Sequence, residues 1–174
     1  GSAVALSGLL EKYPQTAYRQ EALFRLAEHT LKVAGDAVKA VELYQALIDG
    51  EPEGPYAARA LLGLALARYE HKDYDQAADL FLKIMTSREG AGLNEETYNW
   101  TGQWFFDNEK WKDAAQAFEA LLRAVPAYPY ADQVRLRIAE CSEQAGDVEQ
   151  ALEQYRAVAE ATTTTAISTE ARWH

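Results

Sequence analysis

The side chains that most often carry out chemistry are few in this sequence and lie far apart. Its three histidines are His29, His71 and His174, and none stands with acids at the spacing of a metal site or a catalytic triad. His71 lies beside Glu70 and Asp73 at a predicted helix end, where a histidine is more often a favourable partner of the helix dipole than a base. The histidines therefore predict neither a metal site nor a catalytic site.

The other candidates for chemistry are one cysteine, pairs of acids and one glycine-containing stretch. Cys141 is the only cysteine, so no intrachain disulfide can form, and we interpret this residue as small and buried. Acids such as Glu95 and Glu96 fall near helix ends, where solvated charge is their usual role. The stretch 90–92 lacks both the lysine and the preceding strand of a phosphate-binding loop. The sequence thus predicts no enzyme activity, no metal and no cofactor.

Composition narrows the class of partner. The formal net charge is -10, and no run of lysine or arginine forms a stripe that could hold a phosphate backbone against that repulsion. The most apolar window, 57–67, contains Arg59 and is followed by Arg68, so it is far shorter than the roughly 18 apolar residues of a membrane span. We therefore expect neither nucleic acid binding nor direct membrane insertion of this segment, and a protein or peptide is the expected partner.

A period of 37 residues organises the apolar side chains. Four alanines recur at this spacing, and each is followed by an aromatic residue four positions later and by an aliphatic residue three positions beyond that. The sets are Ala40, Tyr44 and Leu47; Ala77, Phe81 and Ile84; Ala114, Phe118 and Leu121; and Ala151, Tyr155 and Val158. Positions i, i+4 and i+7 share one face of an α-helix, and alanine allows two helices to cross closely. Each set therefore predicts a helix with a buried face.

A second apolar helix precedes each of these, so the period predicts four helical hairpins. The corresponding positions of the first helices, all uncharged except Arg135, are Phe24, Ala27 and Leu31; Leu61, Leu64 and Ala65; Tyr98, Gly102 and Phe105; and Arg135, Ile138 and Ala139. The turns inside the hairpins fall in phase at Gly35-Asp36, Lys72-Asp73, Glu109-Lys110 and Gly146-Asp147. Glycine suits the left-handed residue that ends a helix, and aspartate can cap the next helix.

Helix breakers between the hairpins keep the same period and set the predicted boundaries. They include Pro52 and Pro126, and the run 162–165 of four threonines falls at the same phase, so we interpret it as a repeat junction and not as a low-complexity segment. Residues 1–2 are typical of an expression scar, so a signal peptide or anchor could precede this segment in a parent protein. The predicted units are a half repeat at 3–13, full repeats at 17–50, 55–88, 94–125 and 130–161, and the start of a truncated fifth repeat at 166–174.

These residues resemble the tetratricopeptide repeat. In the third hairpin the matching positions are Tyr98, Gly102, Phe105, Trp111, Ala114, Phe118 and Pro126; in the first they are Phe24, Ala27, Gly35, Ala40, Tyr44 and Pro52. The chain departs from the family pattern in two ways. Its period is 37 residues, whereas the family period is about 34, and Arg135 replaces a large apolar residue. The resemblance implies an all-α fold, a right-handed superhelical solenoid of antiparallel helical hairpins with about four full repeats and a half repeat at each end.

The stretch from Tyr13 to Tyr18 is similar to the Tyr-Pro-x-Ser-x-Tyr junctions of bacterial envelope tetratricopeptide proteins, such as the outer-membrane assembly lipoprotein and the TolA-binding coordinator. This subfamily would favour the periplasm or cell envelope over the cytoplasm. A proline before a helix also has a purely local explanation, because proline presets the first helical turn. The compartment therefore stays open.

The resemblance also implies a binding surface, because in the family the first helices line the concave face of the superhelix. The groove positions that it assigns are Arg25, His29, Lys32, Arg59, Leu62, Leu66, Tyr69, Asn99, Gln103, Phe106, Leu136 and Glu140. Such a groove would be basic at one end, apolar in the middle and acidic at the other, which suits a partner segment with an acidic end and an apolar anchor. The same residues could instead be ordinary helix packing and solvated charge.

Two functions remain open at this stage. The first is a protein-interaction scaffold that binds a partner segment in the groove, as part of a multiprotein assembly. The alternative is a structural or self-association segment of a larger protein, in which truncated ends pack against a second copy. Trp100 and Trp104, one helical turn apart, either mark an exposed contact surface or fill space created by the long junctions, and we favour the second interpretation.

Overall fold

Amphipathic helices account for the regular structure of this protein, as the apolar period predicts. The computed structural model describes residues 2–13, 16–87 and 93–170. Within these ranges the chain forms α-helices and no β-strand. The all-α prediction is therefore confirmed, and consecutive helices pair as hairpins. The chain divides into two compact units, residues 1–89 and 90–174.

Unit 1 is built from five helices. They are α1 (Ser2–Lys12), α2 (Arg19–Lys32), α3 (Ala37–Gly50), α4 (Ala57–Glu70) and α5 (Tyr74–Thr86). Each helix packs against the next one along the chain, and α2 also contacts α4. The centre of the packing is an apolar cluster that α2, α3 and α4 share, with Phe24, Tyr44 and Leu64 among its largest members.

Unit 2 repeats this arrangement with four helices in its described part. They are α6 (Glu95–Asp107), α7 (Trp111–Ala124), α8 (Ala131–Gln144) and α9 (Val148–Glu170). Each again packs against its neighbour along the chain. Phe105, Phe118 and Ile138 are fully buried side chains of this unit, one from each of the first three helices.

The predicted buried faces are confirmed in the first three sets and only partly in the fourth. The alanine, the aromatic residue and the aliphatic residue are all buried on α3, α5 and α7. On α9, Ala151 is buried, but Tyr155 keeps 37% of its surface exposed. Its hydroxyl donates a hydrogen bond to Glu143 Oε2 at 3.2 Å. The period thus predicts the helix correctly, and the burial of the aromatic ring depends on what packs over it.

Two glycines make room for two of the buried aromatic rings. A Cβ atom at Gly63 of α4 would overlap the ring of Tyr44 on α3. A Cβ atom at Gly102 of α6 would lie 2.5 Å from Cε1 of Phe118 on α7. Real Cβ atoms do not approach other atoms so closely, so the helices can pack at these distances only because the residues are glycine.

The turns inside the hairpins adopt the left-handed conformation at the predicted positions. The φ angles are +67° at Gly35, +67° at Lys72, +59° at Glu109 and +81° at Gly146. After α4, the Lys72 N–H donates to Tyr69 O and the next N–H donates to Arg68 O, both at 2.9 Å. This pair of hydrogen bonds is the Schellman motif, which satisfies carbonyls at a helix end.

Aspartate caps the second helix in two of the hairpins. Asp36 Oδ1 accepts from the Lys39 N–H at 2.9 Å, and Asp147 Oδ1 accepts from the Gln150 N–H at 3.1 Å. Asp73 differs, since its Oδ2 lies 3.0 Å from Arg68 Nη1 in an ion pair. The capping prediction is therefore confirmed for Asp36 and Asp147, whereas Asp73 ties the end of α4 to the start of α5.

Glycine at Lys72 or Glu109 is expected to stabilise the protein. A side chain in the left-handed region costs about 1–2 kcal/mol, and glycine avoids most of that cost. We expect Lys72→Gly and Glu109→Gly each to raise the free energy of unfolding by about 1 kcal/mol, measured by urea titration. The matched control is Glu153→Gly at an exposed position inside α9, which should lose about 1 kcal/mol. Equal losses at both kinds of position would contradict the strained turn.

The predicted helix break in the threonine run is wrong. Helix α9 continues from Val148 to Glu170 and includes 162–165. Each β-branched residue costs a helix only about 0.5–0.7 kcal/mol relative to alanine, and this stretch contains neither proline nor glycine. The helix therefore continues where the period suggested a junction. Of the predicted fifth repeat, 171–174 lies outside the described residues.

Candidate partner-binding surface

The surface formed by α2 and α4 in unit 1 carries seven of the twelve candidate residues. They are Arg25, His29 and Lys32 on α2, and Arg59, Leu62, Leu66 and Tyr69 on α4. Three positions on each helix have the spacing i, i+4 and i+7, which places them on one face of that helix. Since the two helices contact each other directly, the rows belong to adjacent helices. We call this surface the α2–α4 face.

The cations of α2 are paired along their own helix. Arg25 Nε lies 2.8 Å from Glu21 Oε1, and Lys32 Nζ lies 3.0 Å from Glu28 Oε1. The side chains of both cations are about two-thirds exposed, and solvent screens most of the attraction in exposed pairs of this kind. A partner carboxylate can therefore replace either glutamate at little cost.

Arg59 is positioned by an aromatic ring of α2. Its guanidinium carbon lies 4.5 Å from the centroid of the Phe24 ring, which is a cation–π distance. Phe24 is itself fixed by Tyr44 and Tyr56, whose ring centroids lie 6.1 and 5.4 Å away. The sequence predicts Arg59 at the surface but not the ring beneath it, because Phe24 lies 35 residues earlier and only hairpin packing brings the two together.

Leu66 and Tyr69 form the apolar part of the α2–α4 face. Their side chains leave 40% and 38% of the residue surface exposed, and Leu62, one turn earlier, is half-buried. The Tyr69 ring lies 5.5 Å from the ring of Tyr74 at the start of α5. Adjacent exposed apolar side chains of this size are typical of a contact surface.

The other five candidates lie in unit 2. They are Asn99, Gln103 and Phe106 on α6, and Leu136 and Glu140 on α8. Asn99 and Leu136 are exposed, while Gln103 is half-buried and donates from Nε2 to Asp107 Oδ1 at 2.6 Å. The structure therefore brings the candidate residues together as two groups, one in each unit.

Phe106 is the centre of an aromatic and charged cluster in unit 2. The Trp111 ring stands edge-on to it with centroids 5.3 Å apart, and the Arg137 guanidinium carbon lies 4.5 Å from its centroid. Arg137 Nη1 also donates to Glu140 Oε2 at 3.0 Å. No local pattern in the sequence points to Arg137, because the ring that it contacts belongs to another helix.

Trp100 and Trp104 stack on each other on α6. Their ring centroids are 5.8 Å apart with an interplanar angle of 20°, and both residues are half-buried. Each ring therefore covers part of the other, and the pair does not present two free aromatic faces.

The residues considered above for chemistry lie on separate helices or at a helix end. Cys141 is fully buried, and burial raises the pKa of its thiol to about 11, so it stays protonated near neutral pH. The interpretation of Cys141 as a small buried residue is thus confirmed. His29 is half-buried on α2 and His71 is exposed after α4, while His174 lies outside the described residues, as does 90–92.

The part of the chain that the structure describes contains no group of three histidine, cysteine, aspartate or glutamate residues that could hold a metal ion. None of its helices combines the length and the apolar character that crossing a bilayer requires.

In-phase hairpins, left-handed turn residues and glycines beneath aromatic rings together define a helical-hairpin repeat protein. The model of the family described as "Tetratricopeptide repeat" matches residues 30–91 and 102–164. The chain therefore belongs to the tetratricopeptide repeat family, which confirms the resemblance read from the sequence. Repeat proteins of this kind generally serve as scaffolds that bind other proteins along extended surfaces.

Solved structures with the same fold include two of MamA. One, "Crystal structure of MamA", is 16% identical with a TM-score of 0.56, over 94% of this chain and 88% of that chain. The other, "Crystal structure of MamA protein", is 17% identical with a TM-score of 0.57, over 95% and 84%. A tetratricopeptide repeat protein from Parabacteroides merdae ATCC 43184 is 14% identical with a TM-score of 0.56, over 92% of this chain and 59% of that chain. These identities show a common fold alone, and a search of curated protein sequences gave no match.

Proposed function

We propose that this protein is an interaction scaffold that holds a segment of a partner protein on the α2–α4 face. The observation that carries the proposal is the exposed apolar pair Leu66 and Tyr69 on the same helix as Arg59, which a buried ring holds in place. Apolar side chains supply most of the binding energy at such surfaces, and a fixed cation orients the partner. The segment that fits has an apolar anchor and an acidic end.

The distribution of charge supports unit 1 as the docking unit for an acidic segment. Residues 1–89 contain ten lysines and arginines against thirteen acids, whereas residues 90–174 contain seven against fourteen. An acidic partner is therefore repelled less by unit 1. The envelope-like stretch between Tyr13 and Tyr18 belongs to the same unit, and it is the basis for proposing an assembly in the periplasm or cell envelope.

One observation favours self-association as a second candidate function. Helix α9 leaves Val148, Leu152 and Tyr155 exposed. Exposed apolar side chains on one face of a helix are typical of a contact surface, and a second copy would cover this one. Sedimentation velocity tests it: concentration-dependent dimers that Leu152→Glu abolishes would support self-association, and a monomer at all concentrations would exclude it.

Removing the apolar pair is expected to weaken binding to the native partner. We expect the double variant Leu66→Ala/Tyr69→Ala to raise the Kd about 10- to 100-fold, because truncating two contact residues typically costs about 1–3 kcal/mol. The partner is first captured from an extract of the source cells, then purified and titrated by calorimetry. Arg25→Glu/Lys32→Glu/Arg59→Glu should slow association more than it speeds dissociation.

The matched control removes exposed apolar side chains elsewhere. Val148→Ala/Leu152→Ala on α9 truncates two residues that are at least as exposed as Leu66 and Tyr69. This control should bind the partner with wild-type affinity. Wild-type affinity in the Leu66→Ala/Tyr69→Ala variant would instead place the binding site on another surface.

A further inference from the structure

A cavity of unit 2 opens between α7, the end of α8 and the start of α9. Its volume is about 310 Å³. Helix α7 contributes Trp111 and Glu119 to its wall, α8 contributes Ser142, and Asp147 and Gln150 line it at the start of α9. Cavities that bind small ligands measure about 300–1,000 Å³. This one therefore has room for a single long side chain or a small molecule.

The cavity belongs to the fourth hairpin and not to the repeat in general. Ser142 is buried, with 2% of its surface exposed. At the 37-residue spacing the three earlier hairpins carry Leu31, Arg68 and Phe105 at its position, all of them larger side chains. A small side chain leaves space, and a buried hydroxyl group has to be desolvated, so both features lower the stability of the packing. Helix packing alone therefore does not account for Ser142.

A chain of hydrogen bonds fixes the polar part of the wall. Gln150 Nε2 donates to Glu119 Oε1, and Gln150 Oε1 lies 2.9 Å from Ser142 Oγ. Because an ionised carboxylate only accepts hydrogen bonds, the contact with Glu119 sets the orientation of the Gln150 amide. Asp147 Oδ1 accepts from the main-chain N–H of Gln150 at 3.1 Å. The donors of Gln150 thus serve the two carboxylates.

Acceptors outnumber donors along this wall. Ser142 Oγ also lies 2.8 Å from Ile138 O, and its single hydrogen can serve either that carbonyl or Gln150 Oε1. Glu119 Oε2 lies 3.8 Å from Arg123 Nη1, which is too long for a hydrogen bond. The Glu119 side chain is 31% exposed and Asp147 is exposed, so a ligand can reach both carboxylates. A ligand that fits this wall donates hydrogen bonds.

The charges around the cavity favour a cation. Glu119 and Asp147 contribute two negative charges to the wall, and the exposed Lys112 contributes one positive charge. Unit 2 as a whole has seven lysines and arginines against fourteen acids, so its field attracts cations. The indole ring of Trp111 also attracts an ammonium group and can cover an apolar stem.

We infer that this cavity binds a primary ammonium group on an apolar stem, with Glu119 and Asp147 as its carboxylate partners. An ammonium group carries three donor hydrogens and no acceptor, which is the complement of this wall. The lysine side chain of a partner protein and a small free amine both present such a group. The cavity lies within unit 2, so the inference does not depend on the α2–α4 face.

The test is an NMR titration of the full chain, labelled with ¹⁵N, with the blocked lysine N-acetyl-lysine amide. We expect saturable shifts of the Gln150 side-chain NH₂ resonances. N-acetyl-norleucine amide has a similar stem without the ammonium group and should bind at least about tenfold more weakly. A third titration uses n-butylamine, which has no peptide groups. Tighter binding of the blocked lysine would identify a polypeptide as the source of the ammonium group, and equal binding would identify a free amine.

Two variants separate the cavity from the general field of unit 2. Glu119→Gln removes a carboxylate of the wall and should weaken binding of the blocked lysine at least about fivefold. Glu149→Gln makes the same change in net charge at an exposed position of α9 that does not line the cavity. This matched control should bind as wild type does.

Three results would overturn the inference. The first is the absence of saturable shifts up to tens of millimolar blocked lysine. The second is equal binding of the lysine and norleucine compounds, which would identify an apolar site. The third is an equal loss of affinity in Glu119→Gln and Glu149→Gln, which would show attraction by the whole unit. If Glu119→Gln does not fold, Asp147→Asn serves instead, since asparagine caps a helix as well as aspartate does, and unchanged binding there would also overturn the inference.

Discussion

Truncating Phe118 to alanine is expected to lower the free energy of unfolding by about 3–5 kcal/mol. The ring keeps 2% of its surface exposed and lies against Gly102, which has no side chain to fill the cavity that its removal leaves. The loss combines the transfer free energy of the ring with the cost of that cavity. Urea unfolding at 25 °C, followed by circular dichroism, measures it.

The matched control is the same substitution one period later. Tyr155 occupies the position of Phe118 in the fourth hairpin, but it is partly exposed and its hydroxyl bonds to Glu143 at the surface. We expect Tyr155→Ala to cost clearly less than Phe118→Ala, since the tyrosine ring is already partly exposed and its removal leaves no closed cavity. Equal losses for Phe118→Ala and Tyr155→Ala would show that the described burial of the two rings does not decide their contribution.

The helices and their turns were predictable because their signals are local. Apolar spacing reports which face of a helix is buried, and it identified Ala114 and Leu121 as correctly as Phe118. The phase also identified Lys72 and Glu109 as turn residues, although neither is the glycine that such a position favours. A repeat adds this information, since each hairpin constrains the reading of the others.

The continuation of α9 through the threonine run and the exposure of Tyr155 differ from the prediction. Competition between weak effects decides the first, and neighbours in space decide the second. The phase of the threonine run agrees with that of proline at other junctions and so predicts a junction, but threonine keeps the N–H that proline lacks and only mildly disfavours a helix. The exposure of Tyr155 was not predictable either, because periodicity reports that a face is apolar and not whether anything covers it.

The candidate surface was predictable only in outline. The phase places Leu66 and Tyr69 on the outer side of a first helix, and both are exposed. The contacts that give the surface its character join different helices, such as Arg59 on Phe24. Such pairings come from tertiary packing, which one sequence without its relatives does not encode in any local pattern.

Replacing Gly63 with alanine is expected to destabilise unit 1 by about 1–3 kcal/mol, although alanine favours a helix over glycine by about 1 kcal/mol. The new methyl group would overlap the ring of Tyr44, which is buried and cannot swing away because Phe24 stands edge-on against it. The two helices must then separate or Tyr44 must leave its rotamer, and both changes loosen the α3–α4 contact.

Two companion measurements separate this overlap from any general effect of alanine. Gly8→Ala on α1 has nothing within 4 Å of the added Cβ, so it should raise the free energy of unfolding by about 0.5–1 kcal/mol. In a Tyr44→Leu background, the smaller side chain yields space, and Gly63→Ala should cost clearly less than it does beside tyrosine. A gain in stability from Gly63→Ala in the wild-type background, comparable to that of Gly8→Ala, would contradict the close packing of Tyr44 on α4.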